Sequence, residues 1–300
     1  MTDIEKRKGN DKGFVLNKII DEALAIEAEE AKDAGALGFM ARALVQATLP
    51  HAKIEGNEFI RTNGAFTLTM IAPSSVGLPY GNIPRIVLAW LTTEAVKTKS
   101  REIILGETLS RFMHELDMSP TGGRWGSITR LREQMTRLFS CFVSCSYVGD
   151  GGTGIRNILI ADDADLWWNP KMPSQAALWE SSVMLSERFY REVTENPVPI
   201  DLRAVKALRR APLALDIYCW LTYRLSYLRK DTSIPWPALQ TQFGAGYATD
   251  PQGVRDFKRA FLRNLKKVEL VYPSAKIEDG GKHLNLKPSP TSVRKLYSLK

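Results

Sequence analysis

Cysteine and histidine are scarce: the chain of 300 residues holds three of each. Cys141, Cys145 and Cys219 are odd in number and lack the spacing of a metal knuckle, so they are read as reduced thiols. Cys141 and Cys145, four apart in a strand, would share one face turned toward a core. His51, His114 and His283 are scattered, which removes a His-hydrophobe-His metal site and leaves no histidine-based nucleophile triad. Long apolar runs are also missing, and nothing approaches the roughly 20 residues of a membrane span. Met1 to Gly13 is polar, lacks the apolar centre of a secretory signal and is read as a charged tail. No glycine-rich turn continues into Gly-Lys-Ser/Thr, so a phosphate loop has no support. These absences point to a reducing cytoplasm and to a protein that works without cofactor, metal or membrane.

Positive charge is what the chain has in surplus: 41 Lys and Arg against 33 Asp and Glu, a net +8, which favours a polyanionic partner. Hydrophobic residues make up 44%, enough for real cores, and the length suits about two domains.

Two domains also follow from a repeat. Trp90-Leu91-Thr92 returns as Trp220-Leu221-Thr222, a shift of 130, which also carries Ile104 to Ile234, Leu109 to Leu239, Leu131 to Phe261, Met135 to Leu265 and Leu138 to Val268. A shift of 129 brings Asp150-Gly-Gly onto Asp279-Gly-Gly. The first copy reads as a helix over Pro84 to Val96, a strand over Arg101 to Gly106, and a helix over Glu107 to Asp117. A glycine turn and a third helix from Trp125 to Phe139 follow, then a hairpin of Cys141 to Val148 with Ile155 to Ile160. The second copy follows suit: helices over Pro212 to Leu228, Trp236 to Phe243 and Gly253 to Val268, a strand over Thr232 to Ile234, and a hairpin of Leu270 to Tyr272 with His283 to Leu286. This order is that of a winged helix-turn-helix, so the expected fold class is α+β with two tandem winged helix-turn-helix domains.

The boundaries follow: 1–50 a tail and helical segment, 51–170 the first winged-helix domain and 171–300 the second. Within them, Asp21 to Ala34 reads as a helix in need of a partner surface, and Leu37 to Leu49 as a short helix. Phe59 to Arg61 and Phe66 to Ile71 form a hairpin around Asn63-Gly64. Asp162 to Ser174 reads as a connection, Val183 to Glu192 as a strand, and Asp201 as the cap of a helix over Leu202 to Leu208.

Both third helices are amphipathic. Ile128, Leu131, Met135 and Leu138 fall on one face of the first, with Thr129, Arg130, Glu133 and Arg137 on the other. Val254, Phe257, Phe261, Leu265 and Val268 face inward in the second, opposite Arg255, Arg259, Arg263 and Lys266. Arginines opposite an apolar stripe are commonly a solvated helix face. Two copies in the same position, each after a glycine turn and before a hairpin, favour duplex DNA, whose major groove accepts a helix and whose guanines pair bidentately with arginine. Arg255, Arg259 and Arg263 are the expected base contacts, with Arg130 and Arg137 in the first copy. Lys266 extends the basic face, and Arg124, Lys276 and Lys282 are expected at phosphates.

Other motifs have plainer readings. Gly149-Asp-Gly-Gly-Thr-Gly154 satisfies a dinucleotide pattern but leads into a strand where that site needs a helix. Asp162, Asp163 and Asp165 could hold magnesium for nuclease chemistry, or be solvated acids near a basic surface. Tyr223 and Tyr227, four apart on a helix, match the tyrosine pairs of strand-nicking enzymes but read as helix packing without a histidine metal site.

Leu78-Pro-Tyr-Gly-Asn-Ile-Pro-Arg85, Thr98-Lys-Ser-Arg-Glu-Ile-Ile-Leu-Gly106, Gly122-Gly-Arg-Trp-Gly126, Arg130-Leu-Arg-Glu-Gln-Met135 and Pro199-Ile-Asp-Leu-Arg203 carry a resemblance, continued in Ala211-Pro-Leu-Ala-Leu-Asp-Ile-Tyr218, Trp220-Leu-Thr-Tyr-Arg224 and Ile234-Pro-Trp236. Over about residues 70 to 290 the chain resembles the plasmid-encoded RepA family of replication initiators. The resemblance implies a non-enzymatic protein that binds repeated sites (iterons) in a plasmid origin, helps open the duplex, recruits the host's replicative helicase and represses its own promoter as a dimer, in the bacterial cytoplasm. The residues themselves leave two other classes open: a repressor bound to one palindromic operator, and a relaxase or nuclease. They also leave open whether the first domain reads bases or mainly dimerises through its edge strands.

Overall fold

The computed structural model describes residues 19–27, 29–149, 152–177 and 180–293; the expected tail at 1–13 lies outside them. The fold is α+β with several small antiparallel sheets.

Two long helices sit at its centre, α3 (Ile83–Thr98) and α8 (Pro212–Tyr227). Each has a proline in its first turn, Pro84 and Pro212, which has no amide hydrogen to lose there. Each is buried on nearly all sides, so neither shows the polar stripe of a surface helix. Each leads into the same succession. After α3 come β4 (Glu102–Gly106), α4 (Leu109–Glu115) and α5 (Ser127–Phe139). After α8 come β10 (Thr232–Pro235), α9 (Trp236–Phe243) and α10 (Pro251–Val271).

The repeated tripeptide occupies matching places. Trp90 packs edge-on against Phe112 of α4 at 5.1 Å, and Trp220 edge-on against Phe243 of α9 at 5.5 Å. Leu91 and Leu221 are fully buried, and the hydroxyls of Thr92 and Thr222 are enclosed beside them.

In the second copy the chain returns through β11 (Ile277–Asp279) and β12 (His283–Leu286), and β12 pairs with both β10 and β11. The first strand of this hairpin was expected at Leu270 to Tyr272; instead α10 continues to Val271, because Val268 and Val271 stay on its apolar face. In the first copy the equivalent sheet is β4-β8-β7, built from β7 (Ala161–Asp165) and β8 (Ser181–Leu185).

The expected first wing is therefore misplaced. β5 (Phe142–Gly149) and β6 (Gly152–Leu159) do form a hairpin, but it extends the hairpin of β2 (Glu58–Asn63) and β3 (Phe66–Ile71) into a separate sheet ordered β2-β3-β5-β6. Leu68, Met70, Val143 and Cys145 bury one face of that sheet, and this burial fixes its register. Asp162, expected in a connection, lies in β7, and the strand expected from Val183 to Glu192 ends at Leu185. There Ser186 caps α6 (Glu187–Glu195) by accepting the Phe189 amide at 3.2 Å.

Leu37 to Leu49 also differs from expectation. It holds a strand, β1 (Leu37–Ala41), before the one-turn α2 (Arg42–Gln46), because β1 pairs along β9 (Pro197–Asp201). Asp201 does cap α7 (Leu202–Leu208), accepting the Arg203 amide at 2.8 Å. The helical residues 19–27 (α1) lie beside α7, where Lys206 pairs with Glu22 at 2.8 Å.

One buried ionic cluster ties the two central helices together. Arg85 of α3 grips Asp216 of α8 with Nε–Oδ1 2.8 Å and Nη2–Oδ2 2.7 Å, and His51 Nε2 reaches the same Oδ2 at 2.7 Å. The remaining Arg85 donors go to the carbonyls of Leu49, Pro50 and Gly81. Burial alone would push the Asp216 carboxyl up, but Arg85 and His51 hold it below its ordinary value. Burial drives His51 below its ordinary 6.5.

Asp216→Asn leaves the Arg85 charge without its counterion, and urea unfolding should show a loss of about 3–5 kcal/mol; a loss under about 1 kcal/mol would contradict the role given to the pair. Between the lowered His51 value and 6.5 only the unfolded chain takes the proton, so stability falls as pH drops below 6.5. His51→Gln should flatten the pH dependence of the unfolding midpoint in that window.

Candidate nucleic-acid interface

The second copy builds its outward helix from both ends. Asp250 caps α10 by accepting the Gly253 amide at 2.7 Å, and Pro251 fills the first turn. Gly253 is obligatory, since a Cβ there would run into the Ala248 carbonyl oxygen. The inward face is aromatic: Phe261 packs 5.6 Å from Trp236, 5.7 Å from Phe243 and 5.7 Å from Phe257.

With that face anchored, Arg255, Arg259, Arg263 and Lys266 all stand exposed, one turn after another. Arg255 is pre-set by two bonds to Gln252 Oε1, at 2.7 and 3.1 Å. Arg259 is 76% exposed and pairs with Asp256 at 3.5 Å.

Beside this helix stands the β11–β12 hairpin, where Lys276 and Lys282 are exposed. A residue that sequence reasoning passed over locks the two together. Lys258 lies on the border of the apolar face; its Nζ reaches Gly281 O at 2.7 Å and Asp279 Oδ1 at 2.8 Å, and sits 5.2 Å from the centre of the Trp236 ring. Its place three residues after Arg255, off the basic row, was the available signal.

In the first copy α5 exposes Thr129, Arg130, Arg132, Glu133 and Thr136. Arg132 is a further exposed cation on this helix; four residues after the buried Ile128, its spacing alone puts it at the edge of the apolar stripe. Arg137 departs from expectation. Its side chain is only 14% exposed, bonds the Leu78 carbonyl at 3.2 Å, pairs with Glu133 at 2.9 Å and lies over Tyr80 at 5.6 Å. It holds the chain entering α3 against α5 and is not presented to solvent. Arg124 is exposed in the loop before α5, its guanidinium 5.1 Å from the Trp125 ring centre.

Three of the residues that imitate catalytic motifs, Asp162, Tyr223 and Tyr227, are engaged within the fold. Asp162 is paired with Arg101 at 2.8 Å. Tyr223 accepts a bond from Gln46 at 3.0 Å and packs edge-on against Tyr227, whose hydroxyl is bonded by Arg224. Cys141, Cys145 and Cys219 are buried free thiols; burial pushes Cys141 up to about 12 and Cys145 up to about 11. Of the dinucleotide-like stretch, Gly152 onward is strand β6, while 150 and 151 fall outside the described residues. Among the described residues, no helix is long and apolar enough to cross a membrane.

Comparison with known proteins gives one family. The sequence profile described as "Plasmid encoded RepA protein" matches residues 78–236, just over half of the chain. No curated protein matches. Among solved structures, a crystal structure of RctB domains 2-3 (RctB-155-483) aligns with TM-score 0.48 at 12% identity, covering 82% of this chain and 96% of that one. Crystals of selenomethionine derivatives of RctB domain 2 and domain 3 align with TM-score 0.46 at 11% identity, covering 80% and 94%.

The contrast between Arg130 and Arg137 can be measured. Arg130→Ala should leave unfolding stability within about 0.5 kcal/mol, whereas Arg137→Ala, which removes bonds inside the fold, should cost about 1–2 kcal/mol in chemical denaturation.

Proposed function

The chain belongs to the plasmid-encoded RepA protein family, and from that premise we propose that it initiates plasmid replication by binding repeated duplex sites in an origin through two winged helix-turn-helix units. In each unit the third helix, α5 or α10, enters the major groove, and the returning strands, β7–β8 or β11–β12, form the wing. In this reading β8, which pairs with β4, belongs to the first unit. The observation that carries the reading is the row Arg255, Arg259, Arg263 and Lys266, fully outward on α10 beside a hairpin clamped by Lys258. A helix so anchored loses little backbone freedom on docking, which favours discrimination of guanines by its arginines.

The work of such a protein is mechanical. Binding to successive iterons promotes opening of the adjacent duplex and recruits the host's replicative helicase; no catalytic step is assigned to this chain. It acts beside plasmid DNA in a bacterial cytoplasm and represses its own promoter when dimeric. The surface for self-association is the outer face of the β2-β3-β5-β6 sheet. Ile60, Ile71, Ile155 and Leu159 are exposed there in adjoining registers with Thr67, Thr69, Ser144 and Asn157. In a chain of net charge +8, an apolar-polar face of this kind, with the acidic Glu58 at its edge opposite Ile71, suits a second copy of itself and not DNA.

Fragments selected from a sheared plasmid library at moderate salt should contain several direct repeats beside an AT-rich segment; a lone palindrome would favour an operator-binding repressor. Arg259→Ala and Arg263→Ala should each weaken binding to the selected site by about 1–3 kcal/mol, and unchanged specificity would remove α10 as the reading helix. Lys276→Ala and Lys282→Ala should weaken all sequences alike and flatten the salt dependence. Ile155→Lys combined with Leu159→Lys should give a monomer in sedimentation while leaving binding to a single repeat intact.

A further inference from the structure

The loop between α4 and α5 is closed and rigid, yet it presents its largest side chain to solvent. Thr121 and Ser127 fasten its ends: the Thr121 amide donates to Ser127 Oγ at 2.9 Å, the Ser127 amide donates to Thr121 Oγ1 at 2.9 Å, and Ser127 Oγ donates to the Ser119 carbonyl at 2.6 Å. Inside the loop the Gly126 amide reaches Gly123 O at 3.1 Å, and Thr129 Oγ1 reaches the same carbonyl at 2.9 Å. Gly126 admits no side chain, because a Cβ would strike the Thr121 and Gly122 carbonyl oxygens, and Gly123 holds φ +87. At the tip of this frame Trp125 is 80% exposed, more than any other large apolar side chain in the described residues. One side of its indole carries the Arg124 guanidinium, at 5.1 Å.

The loop before α10 in the second copy holds no tryptophan. It makes the same close approach, Gly253 against the carbonyl oxygen of Ala248, five residues earlier, as Gly126 stands against Thr121. Its aromatic residue, Tyr247, turns inward and packs 5.7 Å from Phe257. An indole left in water forgoes a burial worth about 1.5–3 kcal/mol for a large apolar side chain, so its outward position calls for a ligand. The neighbouring charges state the ligand's sign: Arg124, Arg130 and Arg132 are all exposed around the start of α5.

A flat π surface beside cations is complementary to a nucleobase on its phosphate backbone. In a closed duplex both faces of each base are covered by its neighbours, so only an unpaired base offers a face to the ring. We propose that Trp125 and Arg124 form a stacking platform for an unpaired DNA base, with the free face of the indole taking the base and Arg124 the adjoining phosphate. In this arrangement the loop ahead of α5 takes opened strand beside the duplex that α5 and α10 hold. The proposal rests on reading the chain as a DNA-binding initiator.

The test uses the full-length protein and two probes, a fluorescein-labelled thymidine oligonucleotide and a labelled duplex of the selected site. Trp125→Ala should weaken oligonucleotide binding by roughly tenfold. It should change duplex binding by less than about twofold and, being so exposed, leave the melting temperature unchanged. Trp125→Phe, which keeps a stacking face, should restore most of the affinity, and Arg124→Ala should steepen the loss at low salt. Trp125→Ala with wild-type oligonucleotide affinity, or an equal loss on both probes, overturns the platform. Wild-type protein that holds the duplex but not the oligonucleotide overturns the platform alone, whereas protein that holds neither overturns the DNA-binding reading with it.

Discussion

The Arg85–Asp216 pair fixes how everything else is arranged, because it places opposite charges from two helices in an interior that would otherwise reject both. A charged carboxylate taken out of water costs several kcal/mol, and it is tolerated here only because a guanidinium meets it with two parallel bonds and His51 with a third. The Arg85 donors left over are consumed by carbonyls of Leu49, Pro50 and Gly81, so the segments entering β2 and α3 are held at the same point. A hydrophobic contact between α3 and α8 would slide with little penalty. A bidentate ion pair has one geometry, and it sets the register of the two repeated units.

A second buried cation acts farther out. Arg61 of β2 is 2% exposed, lies over Phe59 at 4.7 Å and gives one bond to the Phe243 carbonyl on α9 at 3.2 Å. Burial pushes its guanidinium down to about 10, and it stays charged at neutral pH. It links the four-stranded sheet to the second unit, so the core runs through both copies without a break.

The repeat was legible because its signals are local. Proline starts, the Trp-Leu-Thr tripeptide and the apolar spacing of α5 and α10 are written within single helices, and Asp201 announced its own cap. The returning strands were not legible, because pairing is a long-range choice. Cys141 to Ile160 alternates as a hairpin should, but nothing within it says that Phe66–Ile71 is its partner and not β4. Asp162 and Asp163 look unlike a strand, and they form one only because β8 lies alongside. At the interface, the face of α10 followed from period alone. The burial of Arg137 did not, since it depends on Leu78 and Tyr80, more than fifty residues away. Trp125 was visible as a letter, while its exposure had to be seen.

Between β6, at the edge of the four-stranded sheet, and β7, packed beside α5, there is one residue, the buried Ile160, whose carbonyl is held by the Ser186 amide at 3.2 Å. No loop is present there to take up slack. The four-stranded sheet and the β4-β8-β7 sheet are therefore joined by continuous extended backbone with a single pivot between them.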